Sequence, residues 1–128
     1  MQFGYAVLYV SNVEKTVAFY ESAFGQKRNF VHEAGYGEMD TGPTKLGFVS
    51  HELAKSNGVA YAEPQADGPA PAVQIGFVVE DVAAAYDKAV KAGAEAVVPP
   101  QQKPWGQTVA YVRDLNGFLV ELCTPTPK

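Results

Sequence analysis

The chain has 128 residues, of which 47% are hydrophobic and 19% charged, so its length suits one compact domain with a sizeable core. Its net charge of -4 disfavours a nucleic-acid partner, because binding to phosphates needs a basic face. No apolar run reaches the roughly 20 residues that span a bilayer, and the start lacks a signal peptide, so we expect a cytoplasmic protein without a membrane partner. The single cysteine, Cys123, excludes an internal disulfide and is expected to be a small buried strand residue.

The first half of the chain predicts one strand, one helix and three further strands. The β-branched and aromatic run YAVLYV, residues 5–10, is typical of a strand. Ser11 and Glu14 have the spacing of a capping box, and the apolar residues that follow recur at helical spacing until Gly25. Short strands separated by turn-forming residues are then predicted at 27–33, 36–42 and 45–50.

The second half predicts the same order of elements. A strand is expected at 73–79, a helix at 80–93 that ends at Gly93, a strand at 94–99, and a hairpin formed by TVAYVRD and FLVELCT. The shift that places Tyr5 over Gln74 also places Asn12 over Asp81, and near the later strands Gly47 falls over Glu121. This self-similarity predicts an internally duplicated fold.

The segment between the halves, residues 51–72, is rich in Ala, Pro and Gly. Its start is expected to form one helical turn capped by Ser50, and the rest an irregular connection. The segment is interpreted either as a plain linker or as a flap over a pocket.

Two stretches resemble a known family. VLYVSNVEKTVAFYESAFG resembles the first strand and helix of the vicinal oxygen chelate superfamily, which includes glyoxalase I, extradiol dioxygenases and bleomycin-resistance proteins. PWGQTVAYVRDLNGFLVELCTP resembles the closing hairpin of its bleomycin-resistance-like branch. The resemblance implies an α+β fold in which two βαβββ modules form a curved mixed-sheet cup, the glyoxalase/bleomycin resistance/dihydroxybiphenyl dioxygenase fold. The resemblance also implies that residues 1–128 form a single domain, with module one at about 1–50, a linker at about 51–72 and module two at about 73–125. It further implies a homodimer.

The resemblance also implies where a divalent metal would be held. The positions equivalent to the family's four ligands are Tyr5, Gly47, Gln74 and Glu121. Tyrosine is a poor ligand at neutral pH, and glycine has no side chain. Because zinc and iron sites normally use at least three protein donors, we expect no metal cofactor. The alternative is a divalent metal held by Gln74 and Glu121 with His51.

Glu121 lies in the otherwise apolar run FLVELCT, where a charge needs a partner. Strand alternation places it on one face with Leu119 and Cys123, while Val120 and Leu122 share the other face under the helices. Three roles stay open for its carboxylate: metal binding, a structural hydrogen bond to Gln74, Tyr5 or water, and recognition of a donor or cation on an organic ligand.

His51 and the aromatic residues complete the predicted site. His51 is either a structural residue or a general base or ligand contact at the rim of the cup, and His32 is expected to be structural. Trp105 follows a proline just before the hairpin, which suits a pocket mouth or a dimer seam. The predicted ligand-binding residues are Tyr5, Phe48, His51, Gln74, Trp105, Tyr111 and Glu121.

The sequence contains no P-loop, no GxGxxG before a helix and no nucleophile elbow. The favoured interpretation is a metal-poor protein that binds a small organic molecule through aromatic stacking, with Glu121 and Gln74 fixing its orientation. The alternative is a metal-dependent lyase, isomerase or dioxygenase acting on a vicinal-oxygen substrate, and a metal-independent enzyme that uses His51 or Glu121 as base is the third reading. Whether the protein is an enzyme stays open.

Overall fold

The computed structural model describes residues 1–127, which divide into a first unit, Met1–Glu63, and a second unit that starts at Pro64. Residues 51–63 of the predicted linker therefore belong to the first unit. The elements of the first unit are β1 (Tyr5–Val10), α1 (Val13–Phe24), β2 (Arg28–His32), β3 (Tyr36–Met39), β4 (Lys45–Ser50) and α2 (His51–Ser56). Those of the second are β5 (Gln74–Val78), α3 (Val82–Lys91), β6 (Glu95–Gln102), β7 (Thr108–Arg113) and β8 (Leu119–Cys123).

Each unit contains one four-stranded mixed sheet. The strand order is β1-β4-β3-β2 in the first unit and β5-β8-β7-β6 in the second. In both sheets the first strand pairs in parallel with the last, and the other neighbours are antiparallel. The duplication predicted from the sequence is confirmed, because the two sheets have the same order and the same pattern of pairing.

The two long helices begin at matched residues. Asn12 caps α1 by accepting a hydrogen bond from the backbone N–H of Lys15, and Asp81 caps α3 by accepting one from Ala84. The prediction that Ser11 opens a capping box is wrong: the side chain one residue later makes the cap. Gly25 ends α1 with φ of 64°, the left-handed conformation that glycine adopts without steric cost.

Each helix covers one side of its own sheet. In the first unit, Val13 and Val17 of α1 are buried, and a Cβ built on Gly37 of β3 would touch both. In the second unit, Val120 and Leu122 of β8 are buried, as is Ala89 of α3. We call the opposite side of each sheet, turned away from α1 or α3, its open face.

Strand β6 is longer than the sequence indicates. It continues through Pro99 and Pro100 to Gln102, although prolines argue against a strand. Because β6 is the edge strand of its sheet and its register against β7 shifts twice, the missing N–H groups are tolerated there. The short helix after β4 is confirmed, with Ser50 as its N-cap.

Candidate functional site: two carboxylates on the open faces

Glu121 lies on the open face of the second unit and is held by a tyrosine. It sits directly opposite Tyr111 of β7 and beside Gly76 of β5. The Tyr111 hydroxyl donates a hydrogen bond of 2.9 Å to Glu121 Oε2. The predicted strand face is confirmed, since Val120 and Leu122 on either side are buried on the helix side. A hydrogen bond from Gln74, Tyr5 or water was expected for a structural Glu121, but the partner that the structure shows is Tyr111.

The phenol of Tyr111 remains a donor well into the alkaline range. Burial and the hydrogen bond to Glu121 raise its pKa, while a hydrogen bond from Gln74 acts in the opposite direction. Gln74, Tyr111 and Glu121 therefore form one polar group on a face that also carries Arg113. Burial, followed by the neighbouring Glu121, also raises the pKa of the Cys123 thiol, which keeps it protonated and unreactive.

The first unit has a carboxylate in a comparable setting, which the sequence had not indicated. Glu38 of β3 is only 6% exposed and lies opposite Gly47 of β4, on the face away from α1. It accepts hydrogen bonds from Asn29 Nδ2 at 2.7 Å and from the Tyr36 hydroxyl at 3.0 Å. Each sheet thus carries one glutamate that a tyrosine phenol bonds on its open face.

The position of Asn29 depends on an irregularity in β2. The register of β2 against β3 shifts between Arg28 and Phe30, so Asn29 is an extra residue whose side chain can turn towards Glu38. The Tyr36 ring lies over Gly47, where a Cβ would come within 2.5 Å of the hydroxyl. Burial and the bond to Glu38 raise the pKa of Tyr36 to about 12. The only sequence signal for this group was Tyr-Gly-Glu alternation in a predicted strand.

His51 belongs to a separate polar group at the start of α2. Its Nδ1 shares a hydrogen bond of 2.7 Å with the Tyr61 hydroxyl, and its Nε2 lies 3.7 Å from Glu63 Oε1. Glu63 also pairs with Lys55 at 2.6 Å, and the Tyr61 ring packs against the ring of Tyr9. His51 therefore has orienting partners, which the sequence had not indicated.

The remaining predicted residues lie in different parts of the fold. Phe48 is fully buried and its ring packs against Tyr20 of α1, so its prediction as a ligand contact is corrected: it is a core residue on the helix side. Tyr5 is 63% exposed on the edge strand β1. Trp105, in the β6–β7 loop, is 58% exposed and donates from Nε1 to Gln107. His32, at the end of β2, is exposed.

The residues at the family's metal-ligand positions do not fit a metal site. At Gly47 the space for a donor side chain is filled by the Tyr36 hydroxyl, so this position cannot supply a side-chain ligand. Among residues 1–127, no three His, Cys, Asp or Glu side chains are grouped so that they could hold a metal ion.

Comparison with known protein families shows to which superfamily the chain belongs. The family model described as Glyoxalase/Bleomycin resistance protein/Dioxygenase superfamily matches residues 2–122. A search of curated proteins finds no match. No helix in the described part of the chain has the length and apolar character needed to cross a membrane.

Three solved structures illustrate the fold. A glyoxalase-related enzyme from Fulvimarina pelagi is 21% identical with a TM-score of 0.83, over 98% of this chain and 88% of that one. A glyoxalase/bleomycin resistance protein/dioxygenase from Nocardioides is 18% identical with a TM-score of 0.78, over 100% and 88%. TioX from Micromonospora sp. ML1 is 24% identical with a TM-score of 0.71, over 97% and 98%. At these identities the likeness shows the fold alone.

Proposed function

The chain belongs to the Glyoxalase/Bleomycin resistance protein/Dioxygenase superfamily, and we propose that it binds a small, flat organic cation without the help of a metal. The observation that carries the proposal is the pairing of Glu121 with Tyr111 on the open face of the second unit. A neutral phenol leaves the negative charge of the carboxylate in place. None of the ion pairs within residues 1–127 involves Glu121.

The surroundings of Glu121 suit a ligand with both an apolar body and a positive group. Gly76 beside it has no side chain, and a Cβ there would lie 3.6 Å from Glu121 Oε1. The side chain of Val78, further along β5, is 65% exposed. An aromatic ligand could therefore lie along β5, with its cation against the carboxylate and its ring against apolar side chains. Gln74 and Tyr111 would fix its orientation.

Two dyes with the same three-ring skeleton test the charge requirement. Proflavine is a cation near neutral pH, whereas acridine is neutral there. We expect the wild-type protein to bind proflavine more tightly, and Glu121→Gln to weaken proflavine by about tenfold while sparing acridine. Glu80→Gln is the matched control, because Glu80 is an acid of the second unit whose loss changes the net charge equally, but it is exposed and lies outside the sheet, whereas Glu121 is half-buried. Fluorescence titration measures the affinity of each protein for each dye. The proposal would be refuted if Glu121→Gln and Glu80→Gln bound proflavine and acridine with the same affinity in all four combinations.

The absence of a metal is part of the proposal and has its own test. Elemental analysis of purified protein, with and without added nickel, zinc, manganese and ferrous iron, should show no near-stoichiometric metal. Thermal unfolding should not shift on metal addition, since binding to the folded state alone would raise the melting temperature. Stoichiometric metal with a raised melting temperature would favour the alternative, a metal-dependent enzyme acting on a vicinal-oxygen substrate.

We also propose a homodimer. Apolar side chains of the edge strand β1 are exposed, Tyr5 at 63% and Val7 at 40%. Exposed apolar residues on an edge strand mark a surface that another chain can cover. Light scattering after size exclusion should give the dimer mass, and Val7→Lys should shift it to the monomer. A monomeric wild-type protein would refute this part of the proposal.

A cytoplasmic location stays a prediction.

A further inference from the structure

Glu38 is a buried carboxylate whose burial the fold does not explain. Asp114 is similarly buried, at 5% exposure, but it accepts hydrogen bonds from the backbone N–H groups of Asn116 and Phe118 and so shapes the β7–β8 turn. Glu38 bonds only side chains in the contacts described above, and both of its donors are neutral. It holds no turn and caps no helix.

Within residues 1–127, no cationic side chain lies at ion-pair distance from Glu38. A buried anion without a cation costs free energy that neutral hydrogen bonds only partly offset. A carboxylate has about four acceptor sites, and Asn29 and Tyr36 use one on each oxygen, so each oxygen keeps unused acceptor capacity.

Two aromatic rings stand beside this carboxylate. Phe30 of β2 is directly opposite Glu38 in the sheet register, and its ring centroid lies 5.9 Å from that of Tyr36. The Phe30 side chain is 44% exposed, and Asn29 beside it is exposed as well. Since β2 is the edge strand of its sheet, a ligand can approach from this edge. Aromatic faces attract ammonium and guanidinium groups, and the attraction strengthens where water is excluded.

We infer that Glu38, Phe30 and Tyr36 form a subsite for an ammonium or guanidinium group, so that the first unit recognises a cation independently of Glu121. The inference deepens the proposed function and rests on it for the class of ligand. Glu38 would bond the cation and Phe30 would supply its aromatic face. Asn29 acts as a positioning residue, because it bonds the carboxylate oxygen that Tyr36 does not.

Benzylammonium is the probe, with benzyl alcohol as its neutral counterpart. In a nitrogen–proton NMR titration of the wild-type protein, we expect benzylammonium to move the side-chain amide signal of Asn29 and the backbone signals of β2 and β3. Benzyl alcohol should leave them in place. Glu38→Gln should weaken benzylammonium by about tenfold or more. Glu33→Gln is the matched control, since Glu33 lies exposed in the β2–β3 turn and its loss changes the net charge equally.

A second variant covers the case in which Glu38→Gln fails to fold. Phe30→Leu removes an aromatic face at a half-exposed position and leaves the carboxylate intact, so it should fold and still weaken benzylammonium several-fold. Unchanged affinity in whichever variants fold, or signal shifts confined to other strands, would overturn the inference. The proflavine titration of Glu121→Gln is a separate readout: if proflavine ignores Glu121 while benzylammonium requires Glu38, the proposed site in the second unit fails and the Glu38 subsite stands.

Discussion

The hydroxyl of Tyr36 occupies the space that a side chain on Gly47 would need. A Cβ built on Gly47 would lie 2.5 Å from that hydroxyl and 2.9 Å from two ring carbons. In the duplicated pattern, Gly47 stands where the second unit has Glu121. The first unit has thus exchanged a possible donor side chain for a tyrosine ring that reaches Glu38 from the same strand.

Gly47→Ala should therefore destabilise the first unit. The added methyl group forces the Tyr36 ring away from Glu38, and overpacking of this kind costs about 1–3 kcal/mol in the free energy of unfolding. Gly76→Ala is the matched control, because a Cβ there meets Glu121 Oε1 at an ordinary 3.6 Å. Urea unfolding measures both. A double variant, Tyr36→Ala with Gly47→Ala, should be less destabilised than the sum of its parts; strict additivity would show that the two residues do not compete for space.

The sequence predicted the element order well because each element depends on local signals. Period-two alternation placed Glu121 on the face opposite Val120, and strand propensity identified all eight strands. The signals failed where tertiary context decides. Pro99 and Pro100 are tolerated in β6 because it lies at an edge of its sheet, and strand propensities do not tell which strand lies at an edge.

The site was less predictable because its contacts cross between elements. Glu38 becomes a site residue only through the register shift in β2 that turns Asn29 towards it. His51 obtains its partner from Tyr61, ten positions later in the irregular linker, where no periodicity operates. Phe48 has the residue type of a ligand contact, but strand alternation from the neighbouring Gly47 places it on the helix side, so the sequence already contained this signal.

The stability of the protein should fall in alkaline solution through Tyr36. Burial and the bond to Glu38 raise the pKa of this phenol from 10.0 to about 12, so the folded state favours the protonated form. A raised pKa contributes stability that is complete below about pH 10 and is lost as the pH rises through about 12. Urea midpoints measured across this range should decline more steeply for the wild type than for Tyr36→Phe. Parallel curves for the two proteins would contradict the assigned pKa.

Arg113 should anchor the start of the second unit to the β7–β8 hairpin. Its guanidinium donates to the carbonyl oxygens of Gly117, Gly68 and Gln65 at 2.8, 2.7 and 3.3 Å. Arg113→Lys keeps the charge near Glu95 but cannot reproduce the fork of donors, so we expect a loss of about 1–3 kcal/mol in the free energy of unfolding.

The change should be local to this anchor. Backbone amides of residues 65–68 should exchange with solvent faster in Arg113→Lys than in the wild type. Arg28→Lys is the control: Arg28 pairs with Glu14 and Glu21 at the surface, where such pairs contribute less than about 1 kcal/mol. If Arg113→Lys and Arg28→Lys lose the same free energy of unfolding, the hydrogen bonds from Arg113 to the three carbonyl oxygens do not contribute the extra stability expected here.

The last part of the first unit should be fastened by the bond between Tyr61 and His51. Tyr61→Phe removes the hydroxyl that lies 2.7 Å from His51 Nδ1 but keeps the ring that packs on Tyr9. We expect a loss of about 0.5–1.5 kcal/mol and faster amide exchange across residues 57–63. Glu63→Gln should have a smaller effect, because the Glu63 side chain is 41% exposed where it pairs with Lys55. A double-mutant cycle with His51→Gln assigns the bond: Tyr61→Phe should cost much less once His51 is replaced, and an unchanged cost would show that the hydroxyl stabilises the segment by another contact.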